Sequence, residues 1–273
     1  MWRGLTIISK TVNSKNKPIG FFDSGVGGLT VFSEFRKLMP NEDCVYFGDT
    51  KNMPYGEKSK EQLINFSKRA FEFFEKKNVK AVVMACNTTS ATVYDVLKND
   101  YPFKLYPIIQ SVSKILAQLP ASKIGVFATP ATIKSKAYSI NINKFDKSKE
   151  IIEIACPEWV KLVEEGKENS PEAFRSIKEK LDEMMKYNPE KIVLGCTHYP
   201  YLLKQLSQVA GKDIFINPAK YFVEYIKSDL ESLDMISTAS EKGSEAFYTS
   251  ASPENFRVAA GLFYAIKDLP QKL

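Results

Sequence analysis

VKAVVMACNTTSA, Val79 to Ala91, runs from an unbroken apolar stretch, Ala81 to Ala85, directly into a thiol followed by amide and hydroxyl side chains. A short valine-rich run bounded by polar residues reads as a strand buried on both faces, as in parallel sheets covered by helices. The pattern returns once: EKIVLGCTHYP, Glu190 to Pro200, ends another apolar strand at Cys196-Thr197-His198. A weaker pair lies upstream, where KPIGFFDSG and SKIGVFATP both pass from a lysine through an Ile-Gly strand into a polar turn, at Asp23-Ser24 and at Ala128-Thr129. Asp23 precedes Cys86 by 63 residues and Ala128 precedes Cys196 by 68, a spacing that argues for two similar halves.

Working outward, Lys17 to Phe22 reads as the first strand and Gly28 to Leu38 as its helix, with Leu29, Phe32, Phe35 and Leu38 on one face. Further strands are expected at Cys44 to Phe47, Lys80 to Met84, Lys123 to Phe127, Glu150 to Ile154, Lys191 to Leu194 and Ile214 to Ile216. The clearest helices are Lys60 to Lys77, with Leu63, Ser67, Ala70, Phe71 and Phe74 inward, and Pro171 to Lys186, with Phe174, Ile177, Leu181 and Met184 inward. Strands alternating with helices give an α/β class: two similar domains, each a mainly parallel sheet flanked by helices, with the active site in the cleft between them.

The composition supports an ordinary globular chain: 273 residues, 44% hydrophobic and 26% charged. The net charge of +6 comes from 38 basic and 32 acidic residues spread along the chain, which gives no basic stripe for nucleic acid. No apolar run approaches a membrane span, and Leu5 to Ile8 is too short for a secretory core, so a cytoplasmic protein with reduced thiols is expected. Met1 to Lys17, basic and without acids, reads as an N-terminal extension. Four scattered cysteines without a C-x-x-C pair, and a single histidine, His198, argue against a metal site and against thiol oxidoreduction.

In parallel α/β sheets, functional groups gather beyond the carboxyl ends of strands. Cys86 and Cys196 fall there, each expected at a helix N-terminus that favours the thiolate. Cys44 and Cys156 read as core residues. Two thiols on facing halves suit the removal of a proton from one face of a carbon and the return of another to the opposite face, which inverts a stereocentre. The turn FDSGVGGLT, Phe22 to Thr30, lacks the lysine of a P-loop and the spacing of a dinucleotide fingerprint. Its Asp23 can hold an ammonium group or tune Cys86, and Ser24 can donate to a carboxylate. His198 can polarise Cys196. Pro54, Tyr55 and Gly56 form a loop whose amides or Tyr55 hydroxyl can meet a carboxylate, and Asn87, Thr88 and Thr197 are polar followers of the two thiols.

IGFFDSGVGGLTV, YFGDTKNMPYGEKS, ACNTTSA and GCTHYP, with the weaker ATIKSKAY, resemble in order the signature segments of the glutamate racemase family, a branch of the aspartate/glutamate racemase superfamily. The resemblance implies catalysis by Cys86 and Cys196, aided by Asp23 and His198, and a substrate site of Asp23, Ser24, Pro54, Tyr55, Gly56, Asn87, Thr88, Thr197 and His198. It implies glutamate as the small-molecule substrate, no cofactor or metal, no nucleic-acid or membrane partner, compatibility with a homodimer, and a role in supplying D-glutamate for peptidoglycan. Cys86 would deprotonate D-glutamate and Cys196 L-glutamate. His198 stands where aspartate racemases usually carry an acid. The resemblance also implies a discontinuous first domain, 18–107 with 218–273, around a second, 108–217. The chain departs from the family at PIIQSVSKIL from Pro107, at Lys161 and at Asn217, none a proposed catalytic position. The alternatives are aspartate racemisation, a related cysteine-dependent racemase or decarboxylase, and a non-catalytic amino-acid sensor.

Overall fold

A computed structural model describes residues 15–273. Of the expected extension, residues 1–14 lie outside the described residues, while Lys15 pairs with Asp234 at 2.6 Å. Among the described residues two parallel sheets form. The first has the order β10-β9-β2-β1-β3-β4 and the second β6-β5-β7-β8. β1 (Ile19–Asp23), β2 (Cys44–Gly48), β3 (Ala81–Met84) and β4 (Lys104–Pro107) build the first, β5 (Lys123–Ala128), β6 (Glu150–Ala155), β7 (Lys191–Gly195) and β8 (Phe215–Ile216) the second. The chain then returns to the first sheet with β9 (Glu245–Thr249), paired in parallel to β2, and β10 (Gln271–Lys272).

The connections are helical, as parallel pairing demands. α1 (Leu29–Leu38) follows β1, α2 (Lys60–Lys76) follows β2, and α3 (Asn87–Thr92) and α4 (Tyr94–Leu97) follow β3. α5 (Ile108–Ala117) leads to the second sheet, where α6 (Pro130–Ser135) and α7 (Ala137–Ile142) follow β5, α8 (Glu158–Glu164) and α9 (Pro171–Met185) follow β6, and α10 (Leu203–Ala210) follows β7. α11 (Pro218–Ser232) and α12 (Pro253–Ala260) complete the return. In each sheet the strand order reverses at one place, between β1 and β3 and between β5 and β7. These reversals are where a parallel sheet opens a crevice beyond its carboxyl ends, and they carry the two echoed sequence pairs.

Burial explains the elements. β1, β2 and β3 are buried along their whole length. α2 turns Leu63, Ser67, Ala70, Phe71 and Phe74 inward and begins with a capping box between Ser59 and Gln62. In α9 the expected Phe174 is 43% exposed, and Ala173 and Ser176 complete the stripe instead. The packing of Trp159, whose Nε1 donates to Ser176 at 3.2 Å, sets that phase. Three strands escaped the periodicity reading. β4 has four residues and ends in a proline that only an edge strand tolerates, while β9 and β10 lie far along the chain from their partners. The strand expected at Ile214 to Ile216 shortens to Phe215–Ile216, because Lys212–Ile214 winds as a 3-10 turn.

α5 and α11 lie between the sheets. One apolar cluster runs from Phe21, Tyr46 and Val83 through Val112, Leu116, Phe222 and Ile226 to Val126 and Val193. Among the described residues no helix is long and apolar enough to cross a membrane.

At the amino end of β3, away from this crevice, Lys80 and Glu42 form an ion pair of 2.6 Å with both side chains almost wholly buried. Lys80 also donates to the carbonyls of Lys15 and Met235, and Glu42 accepts from the Ser237 amide at 2.7 Å. Burial pushes the Lys80 ammonium below its ordinary pKa, with Glu42 opposing. Breaking a buried pair from one side strands a charge, at a cost of about 3–5 kcal/mol. Glu42→Gln should therefore lower the unfolding free energy in urea by about 3 kcal/mol; an unchanged midpoint would mean that the pair does not hold the return segment.

Candidate active site

β3 carries its apolar run to the sheet's carboxyl edge and releases Cys86, which occupies the N-cap of α3. The thiol is 5% exposed. The sequence predicts a lowered pKa there, and the structure reverses this: burial first, then the charge of Asp23, push the Cys86 thiol up to about 12. The Thr89 amide and the Ser24 hydroxyl pull the other way and are outweighed. A six-residue helix supplies too little dipole to offset full desolvation. Asp23, the last residue of β1, is completely buried; its Oδ2 accepts from the Gly25 amide at 3.0 Å, and its Oδ1 has no partner among the described residues. Burial raises its pKa, with the His198 charge and the Gly25 and Gly28 amides opposing.

The second thiol meets different chemistry. Cys196 follows β7, and Tyr199–Leu202 after it is a 3-10 turn with His198 at its N-cap, not the α-helical terminus expected. His198 Nδ1 stands 3.8 Å from the Cys196 sulfur, and Nε2 lies 2.6 Å from Glu164 Oε1 at the end of α8. Burial alone would push the imidazolium down; the sulfur and the Glu164 carboxylate outweigh it and hold the His198 pKa up to about 10. The result is a carboxylate, imidazole and thiol in line.

Both thiols line one cavity of about 30 Å³. Ser24, Met53, Pro54, Tyr55, Gly56, Asn87 and Thr88 face it from the first sheet, and Thr129, Pro157, Val160, Thr197 and His198 from the second. On a scale where one water needs roughly 10–15 Å³, this is room for a few waters. The two sides meet where side chains are missing: a Cβ on Gly27 would fall 2.5 Å from His198 Cε1, and one on Gly56 2.7 Å from Thr129 Cβ. Thr88 and Thr129 share a hydroxyl contact of 2.9 Å across the same seam.

The sequence profile of the Asp/Glu/hydantoin racemase family matches residues 30–226, which include both thiols and the whole of the second sheet. The chain belongs to this family. It is 38% identical over 242 residues to a glutamate racemase of Thermoanaerobacter sp. (strain X514), covering 88% of this chain and 90% of that one. It is 39% identical over 247 residues to glutamate racemase 2 of Caldanaerobacter subterraneus subsp. tengcongensis, covering 90% and 92%. Among solved structures, the glutamate racemase of Francisella tularensis subsp. tularensis SCHU S4 in complex with D-glutamate superposes with a TM-score of 0.85 at 32% identity, over 91% of this chain and 94% of that one. A glutamate racemase of Bacillus anthracis gives 0.87 at 30% identity, over 94% and 100%.

The residues singled out by the racemase-like motifs converge. Asp23 lies one layer behind the cavity wall and the other ten line it. One reading changes: the Tyr55 hydroxyl donates to Asp49 Oδ2 at 2.6 Å, which leaves the loop its backbone amides for a ligand. Glu164 had no local signal, because Val163-Glu164-Glu165 reads as one solvated helix end until α8 packs against the turn that follows β7. Thr129 was visible as a polar turn, yet its place opposite Thr88 needed the second sheet. Cys44 and Cys156 are buried and free, as expected for core residues. Among the described residues no cluster of three or more His, Cys, Asp or Glu could hold a metal ion.

His198 is the sole histidine, so its imidazole resonances are unambiguous. They should report an imidazolium through pH 8 that titrates near 10, and Glu164→Gln should bring that titration down. The folded value exceeds the ordinary 6.5, so the stabilisation from this proton is complete below about 6.5 and is lost as pH rises through about 10. A midpoint near 6.5 in the folded protein would refute the arrangement.

Proposed function

We propose that this chain interconverts L- and D-glutamate by a two-base mechanism without an organic cofactor or metal. The observation that carries it is the pair of thiols ending β3 and β7, which face one cavity from two sheets. For D-glutamate, the Cys86 sulfur takes the α-proton and the Cys196 thiol gives its proton to the opposite face; for L-glutamate the roles exchange. One proton leaves carbon and one arrives, and the enzyme ends with the proton on the other sulfur. The α-proton of an amino acid is weakly acidic, so a thiolate kept from water and an electrophilic setting for the α-carboxylate are both required.

The Cys86 thiol, pushed up to about 12, becomes a strong base once ionised. Asp23 is placed to receive its proton, and the substrate ammonium supplies the positive charge that this half of the site lacks. On the other side, the His198 imidazolium backed by Glu164 stands beside the Cys196 sulfur as a proton donor. Ser24, Asn87, Thr88, Thr197 and the amides of Tyr55 and Gly56 hold the carboxylates. The two sheets belong to two lobes, 18–107 with 218–273 and 108–217, whose parting admits the substrate. The activity named for the relatives supports a role for the product, D-glutamate, in peptidoglycan synthesis, and with it a cytoplasmic enzyme.

In deuterium oxide, each enantiomer should give product labelled at the α-carbon. Cys86→Ser and Cys196→Ser should each lower kcat/KM by about 10³-fold, within the range for loss of a positioned acid or base. Unlabelled product, or racemisation within tenfold of wild type in either serine variant, would overturn the two-thiol reading.

A further inference from the structure

Tyr138, on α7 beyond β5, is 1% exposed. Its ring packs over the backbone that leads into Cys196: a Cβ on Gly195 would meet Tyr138 Cε2 at 3.0 Å. From there its hydroxyl crosses the seam and donates to Asn87 Oδ1 at 2.7 Å, next to Cys86. One side chain thus touches the strand end of one thiol and the helix start of the other.

The consequence falls on Asn87. Its side chain is 3% exposed, and with Oδ1 taken, Nδ2 has no hydrogen-bond partner among the described residues although it is buried. A buried amide nitrogen without a partner costs free energy unless a ligand supplies the acceptor. Asn87 lines the cavity, so the missing acceptor belongs to a molecule bound there. Of the two ways the amide can lie, this one offers donors to a carboxylate, and the flipped one would present an oxygen that repels it. An isolated asparagine has no means of choosing between them. A phenol that donates does, and burial keeps the Tyr138 hydroxyl protonated by raising its pKa far above the working range.

We infer that Tyr138 is a positioning residue for racemisation: by reaching across the cleft it fixes the Asn87 amide with its NH₂ toward the substrate carboxylate, and does so only when the lobes are closed. This rests on the racemase reading above and adds to it a link between closure and carboxylate capture. In the open state Asn87 is free to turn. On closure Tyr138 arrives with the Cys196 side, and the donor is set at the moment the second thiol reaches the α-carbon.

The test is a double-mutant cycle on the full chain, with kcat and KM measured for both enantiomers and the melting temperature recorded. Tyr138→Phe keeps the ring over Gly195 and removes the hydroxyl; it should lower kcat/KM about tenfold or more, as for loss of the Asn87 hydrogen bond to the substrate carboxylate, mostly through KM. Added to Asn87→Ala, it should cost less than about twofold further, since the group it orients is gone. Losses that multiply, or a Tyr138→Phe enzyme within twofold of wild type, would overturn the assignment. If Tyr138→Phe does not fold, Asn87→Asp decides: with one oxygen held by Tyr138, the other faces the carboxylate, so KM should rise beyond that of Asn87→Ala, and an equal or smaller rise would overturn the assignment. A wild-type chain that exchanges the α-proton of neither enantiomer would instead refute the racemase reading itself.

Discussion

The constraint on which the rest depends is the meeting of two sheets, carboxyl end to carboxyl end, closely enough that two thiols share one small cavity. Parallel strands release their functional groups at that end, and each sheet opens a crevice where its strand order reverses. A single sheet would present its thiol to water. Two sheets facing each other bury both, and the closeness is set by what is absent: Gly27 lies against His198 and Thr197, and Gly56 against Thr129, where a methyl group would collide. Thr88 with Thr129, and Asn87 with Tyr138, then turn a steric fit into hydrogen bonds across the seam. The shared apolar cluster around α5 and α11 joins the two sheets behind the site.

Burial of this kind sets the chemistry as much as the geometry does. In the proposed mechanism the desolvation that would protect a carbanionic intermediate from water also suppresses ionisation of the thiol that forms it. The two halves answer differently. Behind Cys86 stands a carboxyl, Asp23, which is itself destabilised as an anion and so can take a proton. Beside Cys196 stands a cation, His198, held charged by Glu164. The strand-level duplication is therefore close to symmetric, and the electrostatics are not. In the proposed mechanism a substrate ammonium group supplies the positive charge missing on the Cys86 side.

Much of this was legible in the sequence because strands ending in Cys-Asn-Thr and Cys-Thr-His violate what a core strand needs, and polar groups that packing cannot explain point to a site. The echo of Lys-Ile-Gly turns upstream marked β1 and β5, which occupy matching places beside β3 and β7. What stayed hidden depended on contacts between distant segments. Glu164 sits in an ordinary amphipathic helix, the Tyr55 hydroxyl is diverted by Asp49 six residues earlier, and Phe174 loses its place in the stripe to the demands of Trp159. The sign of the Cys86 shift was misread for the same reason. A helix terminus is visible in sequence, but the depth to which it is buried is not.

The return of the chain to the first sheet with β9 and β10 has a further effect on the site. α12, which follows β9, leads to Phe263, whose ring stands edge-on to His198 at 5.8 Å between centroids and against Tyr201 at 4.1 Å. His198 is thus held on three sides: Glu164 at Nε2, the Cys196 sulfur at Nδ1, and an aromatic edge brought by the far end of the chain. Gly27 closes the fourth side from the first sheet. An imidazolium enclosed in this way keeps one orientation beside the Cys196 sulfur. The groups that hold its charge, Glu164 and the Cys196 sulfur, come from the segments around the second sheet, and the groups that enclose it, Gly27 and Phe263, from the segments around the first.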